Sequence, residues 1–258
     1  MLALVLSRQD VREYDQIVSL YTQEEGRRDL LAKGIKKIIS KNAAHLEPFS
    51  VIEVGIAKGK EMDVVTSVQI EEYFPRIRKE YYKSMVSLWM TQFVKQMFTS
   101  PERDERVFSL LVSWLESIEV QEKISPYMMD ALVLRALGYL GFSPVLGSCI
   151  DCEKKRTGHT FFFSPSRGGI VCTECRLKKG GNEEKWYKLD LPLLEGFEAL
   201  GKAPWSVISR MMPDTAFYLI LHHLVYSFLQ YHQEIRIQDW KKLAKLSNIF
   251  VNSSPFST

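Results

Sequence analysis

The sequence predicts an α+β protein in which a small N-terminal five-stranded barrel precedes an all-helical body with an inserted four-cysteine segment. Three observations carry this prediction: short strand-like segments up to about residue 74, helical periodicity after Pro75, and two C-x-x-C pairs that contain every cysteine of the 258-residue chain. The predicted divisions are the barrel, the first helical part, the metal-binding segment, the second helical part and a frayed tail, at residues 1–75, 76–145, 146–186, 187–250 and 251–258.

Five short strands separated by polar turns are predicted in the N-terminal segment: Ala3 to Ser7, Ile17 to Thr22, Arg28 to Lys33, Val51 to Ala57 and Val64 to Tyr73. The last of these alternates apolar and polar residues, as a strand with one buried face should. Their number and length fit a five-stranded Greek-key barrel of the oligonucleotide-binding (OB) type. A small barrel of another topology would give the same pattern, so the residues alone leave the topology open.

Helical periodicity follows Pro75. Large apolar residues recur every four positions from Tyr81 to Met97, which predicts a helix that packs this stripe on a core and keeps Lys83 on another face. Further helices are predicted at about residues 101–118, 125–141, 192–200, 213–231 and 237–246. Three histidines in or directly after the 213–231 region are expected to be core or interface residues, because adjacent histidines point to different helix faces: His222, His223 and His232.

The four cysteines form two C-x-x-C knuckles, Cys149 with Cys152 and Cys172 with Cys175. Each knuckle can turn two thiolates towards one point, and the nineteen intervening residues allow the pairs to meet. This spacing predicts one structural Zn²⁺ in a closed site, with no position left for catalysis. Two disulfides in an oxidising compartment are the alternative.

A basic stretch between Gly26 and Lys41 carries six positive charges against the single negative charge of Asp29, a local balance of +5. This is enough to contact the phosphates of DNA. The same pattern is expected of a solvated edge strand whose lysines discourage aggregation, and the charge count does not separate the two. The candidate DNA-binding residues are Arg27, Arg28, Lys33, Lys36, Lys37 and Lys41. Tyr14, Tyr21 and Phe49 are candidate platforms for base stacking or barrel-core residues.

The net charge of +3, from 34 basic and 31 acidic residues, does not by itself indicate a nucleic-acid partner. The apolar run Leu2 to Leu6 is too short for a signal peptide or membrane anchor, so the expected location is the cytoplasm. Neither a phosphate-binding loop nor a serine-nucleophile motif is present. His45-Leu46-Glu47 has the H-x-E form of zinc deaminases, but two knuckles already fill four coordination positions.

Taken together, these motifs resemble those of the RecO family of bacterial recombination and DNA-repair mediators, and the resemblance covers nearly the whole chain. It rests in the barrel on Tyr14-Asp15-Gln16-Ile17-Val18, Thr22, Gly26, Ala32-Lys33-Gly34-Ile35-Lys36-Lys37, Ser40 and Leu46-Glu47-Pro48-Phe49. It rests in the metal segment on Cys149, Cys152, Phe163-Ser164-Pro165, Gly168-Gly169-Ile170-Val171-Cys172 and Cys175.

The resemblance implies a non-enzymatic protein that binds single- and double-stranded DNA and anneals complementary strands. It implies joint action with RecR, and contact with the C-terminal tail of single-stranded-DNA-binding protein, to load RecA onto coated DNA in the nucleoid. By position, the family's basic loop corresponds to Lys33, Lys36, Lys37 and Lys41. Basic residues near the second knuckle, Arg167, Arg176, Lys178 and Lys179, give the hypothesis that the metal segment also contacts phosphate.

A zinc-stabilised adaptor that recognises another protein, without nucleic-acid affinity, is the alternative function. Salt-sensitive DNA binding separates the two, because only the first depends on neutralising phosphates with lysine and arginine.

Overall fold

The computed structural model describes residues 1–36, 45–99, 104–178, 185–211, 214–233, 237 and 239–246. The chain divides into two compact units, Met1–Glu122 and Lys123–Thr258, and each is described by itself. Among the described residues, no helix is both long and apolar enough to cross a membrane. The predicted tail at residues 251–258 and the cations Lys37, Lys41 and Lys179 lie outside the described residues.

The first unit begins with a closed barrel of five strands: β1 (Leu2–Asp10), β2 (Gln16–Thr22), β3 (Gly26–Ala32), β4 (Val51–Ala57) and β5 (Val64–Glu72). The strands follow one another around the barrel in the order β1, β2, β3, β5, β4. All neighbouring pairs are antiparallel except β3 with β5, where Leu31 lies opposite Val64. This Greek-key order confirms the OB-type barrel that the sequence left open.

Alternation along the strands builds the barrel core. Val18 and Leu20 of β2 are fully buried, as are Leu30 of β3 and Ile52 of β4, and they pack in one apolar cluster. Because successive side chains point to opposite faces of a strand, this pattern fixes which face is internal. The remaining buried members of the cluster are Ala3, Val5, Ala32, Ile35, Leu46 and Val54.

Three helices complete the first unit: α1 (Pro75–Lys79), α2 (Tyr81–Met97) and α3 (Glu105–Val120). The helix expected from about Pro101 begins at Glu105 in the described residues. Asp104 is its N-cap, and its side chain accepts a hydrogen bond from the Arg106 backbone N–H at 2.9 Å. This carboxylate satisfies a backbone donor that the first helical turn leaves without a partner.

The buried face predicted for α2 is wrong in part. Tyr81, the first residue of the predicted stripe, is 80% exposed, whereas Lys83, expected on another face, is 1% exposed. The Lys83 ammonium donates to the Glu119 carbonyl oxygen at 2.9 Å and lies 3.3 Å from the Glu80 carboxylate. A buried charge of this kind is tolerated because it is both paired and hydrogen-bonded.

The second unit is built from helices around a small sheet, and the sequence analysis had assigned no strands here. Strand β6 (Thr160–Ser164) lies between β7 (Gly169–Cys172) and β8 (Tyr187–Asp190), with both pairs antiparallel. The helices are α4 (Tyr127–Tyr139), α5 (Thr173–Lys178), α6 (Leu191–Lys202), α7 (Trp205–Ile208), α8 (Thr215–His232) and α9 (Lys241–Leu246).

Phe163 joins the sheet to the helices of the second unit. Its ring contacts Phe197 of α6 edge-on, with centroids 5.1 Å apart, and Phe228 of α8 at 5.9 Å. All three rings are at most 1% exposed, so they supply a large share of the apolar surface removed from water in this unit. This packing connects the strand that precedes the second knuckle to the helical body.

A buried polar network connects α4, α8 and the segment before α9. His222 is 3% exposed, and its ring nitrogens lie 2.9 Å from Asp130 Oδ1 and 2.9 Å from Asp239 Oδ1. Asp130 also accepts a hydrogen bond from the Trp240 indole at 2.8 Å, and Asp239 is paired with Lys241. The prediction that His222 is a core histidine is consistent with this placement.

Two acceptors facing one imidazole favour its doubly protonated form. Burial lowers the pKa of His222, but the carboxylates of Asp130 and Asp239 outweigh this effect and raise it above its usual value. Burial raises the pKa of Asp130, against the opposing effect of His222 and Trp240. The folded unit therefore binds protons at this site more tightly than the unfolded chain does.

We expect the stability of the second unit to fall as the pH rises. A raised histidine pKa gives stability that is complete below about 6.5, the unfolded value, and is lost as the pH rises through the folded value. His222→Gln should remove the part of this pH dependence that the histidine contributes, leaving that of Asp130, and should lower stability by about 3 kcal/mol, because it leaves a buried carboxylate without its cation. Hydrogen exchange of α8 amides, corrected for intrinsic rates, measures both effects.

His223→Gln is the matched control, because the pKa of His223 is lowered, first by burial and then by Lys185. The stability that neutral His223 contributes is therefore lost only as the pH falls below about 6.5. A pH dependence of stability in His222→Gln equal to that of the unmodified protein would contradict the assignment.

Candidate metal centre and nucleic-acid interface

The four cysteines of the second unit lie together. Their sulfur atoms all fall within 4.8 Å of one another, Cys152 Sγ and Cys172 Sγ are 4.0 Å apart, and all four are free thiols. A tetrahedral zinc with Zn–S bonds of about 2.3 Å requires sulfurs about 3.8 Å apart. The two predicted knuckles thus converge closely enough to share one cation.

Local backbone geometry shapes the first knuckle. The Glu153 N–H donates to the Cys149 carbonyl oxygen at 2.9 Å, and the Cys149 N–H donates to the Lys154 carbonyl oxygen at 3.0 Å. Glu153 adopts a left-handed conformation with φ of 59°, which reverses the chain directly after Cys152. In the second knuckle Cys172 ends β7 and Cys175 lies on α5, so a strand-to-helix turn brings this pair together.

Strand β7 and the first knuckle are joined by backbone hydrogen bonds. The Ile150 N–H donates to the Ile170 carbonyl oxygen at 2.9 Å, and the Ile170 N–H donates to the Val145 carbonyl oxygen at 3.0 Å. Gly169 lies where the two segments approach most closely: an added Cβ would fall 2.5 Å from Ile150 Cγ2 and 3.0 Å from the Val145 carbonyl oxygen. Glycine is therefore required here for close approach.

The thiols differ in their readiness to ionise. Burial raises the pKa of Cys149, but N–H groups of Cys152, Cys172 and Asp151 outweigh burial and lower it to about 6. Hydrogen bonding to the Cys172 thiol, followed by burial, raises the pKa of Cys175 to about 12. Four neighbouring thiolates repel one another, so a bound cation is what allows all four to ionise together.

In the first unit, Lys33 and Lys36 are exposed and follow the end of β3, beside the β1–β2 turn. The Lys36 backbone N–H donates to the Tyr14 carbonyl oxygen at 3.2 Å, and its ammonium lies 2.8 Å from Asp10. Tyr14 itself is 45% exposed. One end of the barrel therefore presents two of the predicted cations on a segment whose backbone contacts that of Tyr14, a residue with an exposed aromatic side chain.

Arg27 and Arg28 lie at the start of β3, about 20 and about 17 Å along the chain from Lys33 at about 3.3 Å per residue. Arg27 donates to the Lys95 carbonyl oxygen at 2.9 Å and is paired with Asp29 at 3.2 Å. Arg28 is paired with two acidic residues, Glu25 and Asp63. The structure places these two arginines in internal ion pairs, apart from the described lysines of the predicted set, and their contact with DNA stays a prediction.

The other two aromatic candidates belong to the interior, because Tyr21 is 1% and Phe49 8% exposed. The sequence analysis also missed basic residues that the fold brings to the binding loops of an OB-type barrel, the β1–β2 and β4–β5 turns. Arg12 is in the first turn, and Lys58 and Lys60 are in the second; all three are exposed, and Lys58 is paired with Asp63. Their positions in the polar turns between predicted strands were the sequence signal that could have identified them.

Two of the basic residues near the second knuckle have partners within the unit. Arg167 is paired with Asp151, one of the two residues between the first two cysteines, and its guanidinium lies 5.9 Å from the Trp186 ring centroid. The Arg176 guanidinium lies 5.3 Å from the same ring. This arrangement braces the metal segment against the residue that precedes β8.

A closed OB-type barrel, joined in one chain to a helical unit with a four-cysteine centre, defines a two-unit protein with a nucleic-acid-binding type of fold and a metal-binding type of site. Residues 1–74 match the family model described as recombination protein O N terminal, and residues 78–241 match recombination protein O C terminal. The chain belongs to the recombination protein O (RecO) family of DNA repair proteins.

Similar proteins described as DNA repair protein RecO come from several bacteria. That of Dehalococcoides mccartyi strain 195 is 31% identical over 181 residues, which cover 69% of this chain and 70% of the relative. That of Desulforamulus reducens is 24% identical over 244 residues, 95% of this chain and 93% of the relative. That of Desulfitobacterium hafniense strain DCB-2 is 29% identical over 216 residues, 81% and 78% respectively.

Gly169→Ala is expected to lower the stability of the metal segment by about 1–3 kcal/mol, because the added methyl group meets Ile150 and the Val145 backbone. Gly147→Ala is the matched control, since a Cβ at this position of the same segment meets nothing within 4 Å. Thermal unfolding and bound metal per chain measure the effect. Equal behaviour of the two variants would contradict the close-approach argument.

Proposed function

We propose that this protein is a non-enzymatic recombination mediator. It binds single- and double-stranded DNA, anneals complementary strands and helps load RecA onto DNA coated with single-stranded-DNA-binding protein. The observation that carries the proposal is the barrel end where the exposed Lys33 and Lys36 lie on a segment that is hydrogen-bonded to the backbone of Tyr14, whose side chain is also exposed. Membership in the RecO family of DNA repair proteins supports it.

The chemistry of this surface suits loose, sequence-independent binding. Lysines neutralise phosphates and carry no base information, while an exposed aromatic ring stacks on any base. Arg12, Lys58 and Lys60 add exposed cations to the two turns that OB-type barrels use for oligonucleotides, and Glu13, Asp15, Glu61 and Asp63 of the same turns offset their charge. Annealing makes and breaks no covalent bond, so it needs groups that hold a polyanion and no catalytic residue.

The four cysteines are proposed to hold one structural Zn²⁺, because an all-thiolate tetrahedral set leaves no ligand position open. Lys37 and Lys41 are proposed to continue the basic surface, while Arg27 and Arg28 join it only where DNA displaces their carboxylate partners. The divisions at residues 1–75, 76–145, 146–186 and 187–250 remain the proposed domain organisation. RecR and the tail of single-stranded-DNA-binding protein are the proposed partners, in the bacterial cytoplasm at the nucleoid.

Replacing Lys33, Lys36, Lys37 and Lys41 together by alanine is expected to weaken binding to single-stranded DNA and to flatten its salt dependence. If each lysine neutralises one phosphate, the slope of log affinity against log salt should change by about 2.8, which is roughly 4 × 0.7. Fluorescence anisotropy of a labelled oligonucleotide between about 50 and about 200 mM salt measures both quantities.

Replacing Lys79, Lys123, Lys188 and Lys202 together by alanine is the matched control, because it removes the same charge from four exposed lysines outside the barrel. The second measurement is annealing of complementary oligonucleotides coated with cognate single-stranded-DNA-binding protein, with no nucleotide present. Weak, salt-independent DNA binding by the unmodified protein and by both variants would favour the protein-adaptor function instead.

Cys149→Ser combined with Cys175→Ser is expected to abolish zinc binding, because it removes one ligand from each knuckle. Apparent binding free energies of structural zinc are about 10–16 kcal/mol at neutral pH, so the second unit should unfold at a lower temperature. Elemental analysis should give one zinc per chain before substitution and none after it. Zinc that remains bound after the double substitution would contradict the assignment of these cysteines as zinc ligands.

A further inference from the structure

A cleft of about 360 Å³ opens on the metal-binding segment, and neither the proposed barrel surface nor the metal centre accounts for it. One wall is the largely exposed stretch from Lys154 to His159, and the other lining residues include Phe161 of β6, Ile170 of β7 and Thr173 of α5. Two of the metal-centre cysteines, Cys149 and Cys172, also line it. A cleft of this size is within the range of small-ligand sites.

Among the charged residues that line the cleft, most are basic. Lys154, Lys155 and Arg156 contribute three positive charges, against one negative charge from Glu174. Arg156 is held by an ion pair with Glu198 at 2.9 Å, whereas Lys154 and Lys155 are exposed at the cleft. Positive charge collected in a concave surface attracts anions more strongly than the same charge spread over a convex one.

The basic wall has a fixed backbone. Ser148 and Lys155 form an antiparallel bridge, and the Arg156 N–H donates to the Gly147 carbonyl oxygen at 3.2 Å. The Lys154 carbonyl oxygen accepts from the Cys149 N–H. The backbone that carries these cations is thus hydrogen-bonded to the first knuckle and the residues before it. Less backbone ordering is therefore required when an anion binds.

Neutral donors accompany the cations. The residues Thr157, Thr160 and Thr173 line the same cleft, and Gly158, with φ of +95°, leaves open space at its rim. Lysine with threonine is a combination that contacts phosphate and sugar and reads no base. The cleft therefore has the composition of a backbone-binding site.

We propose that this cleft is a second binding site for the sugar-phosphate backbone of a nucleic-acid strand, with Lys154 and Lys155 as its main phosphate contacts. The inference rests on the proposed annealing function and deepens it. The barrel surface belongs to the first unit and the cleft to the second, so one chain has a separate place for each of two strands. Annealing requires that two strands be held together, whereas binding of one strand does not.

The test is Lys154→Ala combined with Lys155→Ala in the full chain. We expect affinity for one labelled single strand to persist through the barrel, while the annealing rate falls about tenfold. Loss of two phosphate contacts should also change the salt slope of annealing by about 1.4, which is roughly 2 × 0.7. Lys123→Ala combined with Lys188→Ala is the matched control, because it removes two exposed lysines of the same unit from outside the cleft.

The lysines have one alternative role, which is to offset the net charge of −2 that a divalent cation with four thiolates would carry. Zinc content is therefore measured in every variant, and Lys154→Gln with Lys155→Gln is included because it preserves more of the side-chain length. Normal zinc with slowed annealing supports the second site. Lost zinc in both lysine variants overturns it, as does annealing equal to that of the control.

These outcomes are separable from failure of the proposed function. If the unmodified protein neither binds nor anneals DNA, the mediator proposal itself fails. If it does both, and depends on Lys33 and Lys36 but not on Lys154 and Lys155, only the second site is rejected.

Discussion

Closure of the barrel depends on the pairing of β3 with β5, and Asp63 is at the centre of that contact. Its carbonyl oxygen accepts from the Leu31 N–H at 2.9 Å, and its carboxylate is 2.5 Å from Arg28 and 3.3 Å from Lys58. The pKa of Asp63 is lowered although burial acts to raise it, because Lys58, the Gly59 N–H and Arg28 together outweigh burial. One acidic residue thus holds the last strand pair of the barrel and, with Glu25, holds Arg28.

The basic residues of the barrel differ in whether they contact other parts of the fold. Arg28 stabilises the closure, and Arg27 joins β3 to the end of α2 through the Lys95 carbonyl oxygen. Lys33 is exposed one residue past the end of β3, beyond the ladder that aligns the two arginines with their acidic partners. Position relative to the closing contact, more than the number of charges, separates the two arginines that stabilise the barrel from the exposed Lys33.

Sequence reasoning recovered what local pattern determines. The bounds of β4 match the prediction at both ends, because its turns and its apolar alternation are local signals. The C-x-x-C spacing is also a local signal, and it predicted the cluster of four cysteines. The ion pair of Arg28 with Asp63 was not predictable, since the two residues are 35 positions apart and only the folded topology makes them neighbours.

The buried face of α2 failed for a related reason. Ser87 and Thr91 are buried on it alongside Lys83, while the larger Tyr81 is exposed. Size and hydropathy favoured the aromatic stripe, but Lys83 becomes suited to burial only when α3 supplies the Glu119 carbonyl oxygen. Strands β6, β7 and β8 were missed because each is only four or five residues long and depends on pairing with another strand.

Both units must hold together segments that are distant in sequence, and they do so through different interactions. The barrel closes through a continuous ladder around an apolar interior, whereas the metal segment closes through backbone hydrogen bonds, the close approach at Gly169 and four converging thiols. If the four cysteines share one cation, the cation would close the segment, and its outward side chains would be free to vary in charge. Exposed basic residues such as Lys154 and Lys155 can then stand on this segment without disturbing the packing that maintains its fold.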